Sequence, residues 1–127
     1  MKPAPLDIDL YRGDDFELFF RIREKTWDSV NEVWVTGGYV DITGWVGTAQ
    51  ARVSEDAVEV LVQFTVTPGD QVASPGSCFV TLTSAQTAAL TFSEAKWDLQ
   101  FLKSDGKTDT IFRGKVTVDK DITRPTP

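Results

Sequence analysis

The stretch Trp97-Asp98-Leu99-Gln100-Phe101-Leu102-Lys103-Ser104-Asp105-Gly106-Lys107-Thr108 decides the fold class of this 127-residue chain. Trp97, Leu99 and Phe101 alternate with Asp98 and Gln100, and Phe112, Gly114, Val116 and Val118 resume the same period of two after the break. Successive strand residues point to opposite faces, so this spacing describes strands with one face buried and one wet. Asp105-Gly106 between two such runs is a strong hairpin signal, because glycine accepts the positive φ of a tight turn. The spacing therefore predicts a hairpin of strands over residues 95–103 and 108–118.

Upstream the same period recurs. Leu6, Ile8 and Leu10 alternate with Asp7 and Asp9, and Phe16, Leu18, Phe20 and Ile22 follow the turn Arg12-Gly13-Asp14-Asp15. Val58, Val60, Val62, Phe64 and Val66 predict a long strand over 57–67, and Cys78, Val80 and Leu82 predict another over 78–82. Asp41-Ile42-Thr43-Gly44-Trp45 reads as a tight turn into a strand whose inner side, Trp45, Gly47, Ala49, Ala51 and Val53, is mostly small. A neighbour is expected to pack close there. Residues 24–40 are less regular and read as an extended hairpin or loop closing at Gly37-Gly38. One short helix is expected near 84–90, capped by Thr83 or Ser84 and pinned by Leu90 or Phe92.

Seven or eight such strands fit an all-β fold, an antiparallel two-sheet β-sandwich of immunoglobulin-like architecture but without that fold's Cys, Trp and Cys spacing. Length suits one domain, residues 1–127, with residues 1–5 and 119–127 as extended tails. The apolar share is 41% and the charged share 25%, ordinary for a globular domain with its own core.

Charge and composition narrow the function. Thirteen cations against nineteen carboxylates leave a net charge of −6, with no clustering of Lys and Arg, which disfavours a nucleic-acid partner. No run nears the roughly 18 apolar residues of a membrane span, and no apolar segment follows Lys2 as a signal peptide requires, so neither membrane insertion nor secretion by that route is expected. Cys78 is the lone cysteine and cannot form an internal disulfide.

Chemistry has little to work with. Without histidine, Ser-His-Asp and Cys-His arrangements are impossible, and a zinc site needs more than one cysteine. The carboxylate pairs Asp14-Asp15 and Glu55-Asp56 fall in turns, where solvated acids are common. Asp7-x-Asp9 and Asp119-x-Asp121 put both acids on a wet face and do not continue into a calcium loop. No enzyme, cofactor or metal is expected. Arg12-Gly13-Asp14 spells an adhesion tripeptide, but its glycine already has a purpose as a turn between two strands. Trp27, Trp34 and Tyr39 stand outside the regular pattern. Two readings stay open for the tryptophans: exposed anchors for a protein or a sugar ring, or a lid over the open end of a sandwich.

The order Leu6 to Phe16 (Leu-Asp-Ile-Asp-Leu-Tyr-Arg-Gly-Asp-Asp-Phe), Asp41 to Trp45, Leu82 to Leu90, Trp97-Asp98-Leu99 and Gly114 to Val118 resembles a small β-sandwich domain of bacteriophage tail and baseplate accessory proteins. The resemblance runs over about the whole chain and implies a structural module with no catalytic residue. It implies a virion component assembled in the host cytoplasm, in contact with other tail or baseplate proteins and repeated as a homo-oligomer in a symmetric assembly. Two alternatives are a head decoration or head-to-tail joining protein, and a carbohydrate-binding module that stacks host glycans on Trp27, Trp34 and Tyr39. The tryptophan-rich segment 24–40 is longer than the simple turn that the resemblance implies there.

Overall fold

A computed structural model describes residues 3–119. In chain order the strands are β1 (Ala4–Pro5), β2 (Ile8–Tyr11), β3 (Phe16–Arg21), β4 (Arg23–Asp28), β5 (Val33–Tyr39), β6 (Val46–Arg52), β7 (Val62–Pro68), β8 (Ser77–Leu82), β9 (Glu94–Leu102) and β10 (Thr108–Asp119), with helix α1 (Ser84–Ala88) before β9. Eight strands form one sheet in the order β3-β8-β7-β6-β9-β10, with β1 and β2 in tandem along the outer edge of β10. Among the described residues β4 and β5 pair only with each other.

The fold is all-β. A single sheet curls over where two separate sheets were expected, and the reason lies in β7. Its first half, Val62 to Phe64, pairs with β6, and its second half, Thr65 to Pro68, pairs with β8. One strand thus turns the corner between the two halves. The rolled edges meet across the core, where Phe20 of β3 packs edge-on against Phe112 of β10 with ring centroids 5.0 Å apart. Phe64 bridges Phe16, edge-on, and Trp97, tilted. The pairing is also not wholly antiparallel, because β1 and β2 run parallel to β10.

The alternation marks the core well. Ile8, Leu10, Ala49, Ala51, Phe64, Val80, Leu82, Trp97, Leu99, Phe101, Val116 and Val118 are all buried, and Cys78 is fully so. Burial pushes the Cys78 thiol up to about 11, which leaves it an inert core residue. The close approach expected along β6 is present at Gly47, where a Cβ would lie 2.5 Å from Val66 Cγ1 and 2.9 Å from Phe101 Cε1. Gly114 has a second such task. The Leu6 carbonyl occupies the place its Cβ would take, and that oxygen accepts a 2.7 Å hydrogen bond from the Trp97 indole. The N-terminal segment expected as a tail is thereby docked at Ala4–Pro5, and a buried N–H that would cost 1–3 kcal/mol unpaired is satisfied.

The strand expected over 57–67 begins only at Val62. Arg52 donates from one guanidinium nitrogen to the Ala57 carbonyl at 2.9 Å and the Val58 carbonyl at 2.5 Å, drawing that backbone into a loop off the ladder. Val58 is 91% exposed in consequence, and Val53, just past the end of β6, does not join the inner face. The turns expected at Asp41 to Trp45 and Ser104 to Lys107 form, with Gly44 and Gly106 at positive φ. Helix α1 is capped by Thr83, whose hydroxyl accepts from the Gln86 N–H while the Gln86 side chain accepts from the Thr83 N–H. Thr87, buried, accepts from the Gly13 N–H and donates to the Asp14 carbonyl, while Asp15 accepts from the Ser84 N–H. The Arg12-Gly13-Asp14 turn is therefore committed to internal contacts. The tail beyond Asp119, Asp121 included, lies outside the described residues.

Candidate docking surface

Residues 24–40 form a regular two-stranded ribbon. Its turn sits at residues 29–32 and not at Gly37-Gly38, because Asp28 closes it. One Asp28 carboxylate oxygen accepts from the Val30 N–H at 2.9 Å and the Asn31 N–H at 3.2 Å, and the other accepts from the Asn31 side-chain amide at 2.8 Å. These bonds, the Asn31 side chain foremost, hold the Asp28 carboxyl below its ordinary value. Glu32 then takes a φ of 54°, the left-handed conformation a tight reversal needs.

Trp27 faces Trp34 directly across the ribbon, ring centroids 5.4 Å apart and planes at 63°. They are 49% and 64% exposed, so they do not lid the core. Lys25 faces Thr36 one step further down on the same side. Between that pair and the next, Arg23 with Tyr39, the register shifts, so Gly37 and Gly38 together oppose the single residue Glu24. This is a β-bulge, and its effect is to re-aim side chains. Strict alternation from Trp34 would put Tyr39 on the opposite face. The bulge returns it to the tryptophan face, where the Arg21 guanidinium lies 3.5 Å and that of Arg23 5.1 Å from its ring centroid. Arg23 also donates to the Gly37 carbonyl, and Arg21 to the Pro75 carbonyl, which fixes both cations at the root of the ribbon.

The ribbon's two faces consequently differ. One carries Trp27, Trp34, Tyr39, Lys25 and Arg23. The other carries Val33, Val35, Thr26, Asp28 and Glu24, with Glu24 lying over Gly37. Val33 and Val35 are about half exposed and Val30 at the tip nearly fully so. Isolated exposed apolar residues are normal, but a ribbon with large exposed apolar side chains on both faces is the pattern of a contact surface.

The sequence brings Trp27, Trp34 and Tyr39 forward as candidates, and the structure places all three on one face. Arg21 and Arg23 were not singled out. Their only signal in the sequence is closeness to a tyrosine that a one-residue slip brings back to their side.

A second concavity, about 1090 Å³, lies on the polar outer face of β6, β9 and β10 among residues such as Gln50, Arg52, Asp98, Gln100, Arg113 and Lys115. Two of its arginines are already engaged: Arg113 pairs with Glu55, and Arg52 donates to the Gln50 side-chain amide oxygen. Among the described residues no three metal-ligating side chains converge. Among those same residues, no helix is long and apolar enough to cross a membrane. No family model and no curated protein matches this chain.

Proposed function

We propose that this chain is a structural module of a tailed bacteriophage particle, in the tail, tail tip or baseplate, and that it acts by protein–protein assembly. The carrying observation is the β4–β5 ribbon: a paired element outside the main sheet, with Trp27, Trp34 and Tyr39 exposed on one side. Large, rigid aromatic side chains supply most of the energy at protein interfaces, and arginine is enriched beside them. The ordered resemblance of residues 6–16, 41–45, 82–90, 97–99 and 114–118 to tail and baseplate domains supplies the context. The rolled sheet supplies a rigid mount.

A glycan-binding role fits the ribbon less well. A sugar ring stacks on a flat aromatic face, whereas the two indoles stand at 63° and each blocks part of the other. The polar concavity holds no exposed aromatic ring for a sugar to stack on.

The test is quantitative mass spectrometry of purified particles from the phage that encodes the chain. The expected result is a fixed copy number per particle, matching the rotational symmetry of the tail. Absence of the chain from particles of full infectivity overturns the proposal.

A further inference from the structure

We infer that the β4–β5 ribbon binds a second copy of this chain head to tail, its cationic aromatic face seated on the acidic aliphatic face of the neighbour. The inference rests on the reading of the ribbon as an assembly surface and names the partner. Register places Lys25 and Arg23 with Trp27, Trp34 and Tyr39, and places Glu24 and Asp28 with Val33 and Val35. Each face of the ribbon thus carries charge of one sign.

That segregation selects among the ways two copies can meet. Joining two aromatic faces brings together two surfaces whose charges are all cationic, and joining two aliphatic faces brings together two whose charges are all acidic. Like charges brought together in a contact are costly. Only the mixed contact sets cations against carboxylates, and it also seats two indoles on a strip of valines. Such a heterologous contact repeats from copy to copy, closing into a ring when the rotation closes. With strands of six and seven residues, the ribbon offers fewer residues than the roughly 20–30 a side of a standard interface, so each contact is weak and gains from ring closure.

The experiment is sedimentation of the full chain at rising concentration in low and high salt, alone and as two charge variants, Lys25→Glu and Glu24→Lys. Both positions are exposed, and far-UV circular dichroism checks the fold of each variant. The wild-type chain is expected to associate, less so in high salt. Each variant alone is expected to lose about tenfold in affinity, since each then opposes like charges. Mixing the two is expected to restore association, because the reversed face of one meets the reversed face of the other. A chain that stays monomeric to about 1 mM in low salt, in the range where even weak pairs form, overturns the inference. An undiminished Glu24→Lys variant also overturns it, because association that ignores that change does not use the aliphatic face. Binding of the monomer to phosphatidylserine vesicles with a tryptophan blue shift, and no self-association, overturns it in favour of a membrane surface. The particle measurement above is separate: self-association without particle incorporation removes the phage reading and leaves this contact standing, whereas incorporation of a chain that is monomeric throughout does the reverse.

Discussion

The rolled sheet and the β4–β5 ribbon are built from the same residue types and obey opposite rules. In β9, Ala95, Trp97, Leu99 and Phe101 are buried because β6 and β10 flank them and the opposite edge of the sheet covers them. In β5, Val33, Trp34 and Val35 are exposed on either side because, among the described residues, β5 has only β4 paired beside it. A two-stranded ribbon by itself is marginal in water, so this one depends on its Asp28 turn, its tryptophan pair and the rigid root at Ile22 and Val40. Apolar surface in the sheet makes stability, while the same surface in the ribbon remains available to a partner.

The largest expected effect lies in the sheet. Phe101→Ala removes a fully buried ring, and Leu99→Ala a fully buried branch, each expected to cost about 3–5 kcal/mol in urea unfolding. A cost near that size for Trp34→Ala would erase the contrast, since the exposed ring is expected to cost about 1 kcal/mol or less. Next is Gly47→Val, which forces side-chain atoms into Val66 and Phe101 and is expected to destabilise the sheet by about 1–3 kcal/mol while leaving the ribbon's fluorescence unchanged.

A smaller effect sharpens the ribbon itself. A double-mutant cycle of Trp27→Ala and Trp34→Ala is expected to show a coupling of about 0.5–1.5 kcal/mol, read from the unfolding of the full chain. Acid separates the regions without mutation. Asp28 titrates below its ordinary 3.8 in the folded chain, so its contribution is whole above that value and is lost as pH falls through the lower folded value. The Trp27–Trp34 exciton signal in circular dichroism is expected to fade there, and Asp28→Asn is expected to weaken it already at neutral pH. The least perturbing check is chemical. With its thiol raised to about 11 and no exposed surface, Cys78 is expected to resist a thiol reagent at pH 8 until the sheet unfolds.

Much of the sheet was legible because burial on one face leaves a period of two. Ile8, Leu10, Cys78, Val80, Trp97, Leu99 and Phe101 all follow it. The same period misled at Val58 and Val60, since alternation records apolar side chains and not the neighbouring strand that must cover them. Arg52 redirects that backbone by a hydrogen bond to a carbonyl, a contact that leaves no periodic trace. At the ribbon the aromatic residues could be named, but their common face could not, because a single inserted residue at Gly37-Gly38 inverts the parity of all that follows.

By itself the sequence determined that the chain is all-β, where the turns at residues 41–45 and 104–107 and the capped helix fall, and that it holds no histidine and a single cysteine. These are local properties, set by side-chain alternation, by glycine's freedom at positive φ and by hydrogen bonds spanning three or four residues. Only the tertiary structure decided that one sheet curls at β7, that β1 and β2 join β10 in parallel, and that a cationic aromatic face forms on the β4–β5 ribbon. Those outcomes depend on which strands find each other across distant parts of the chain, and pairing energy is set by the neighbour as much as by the strand.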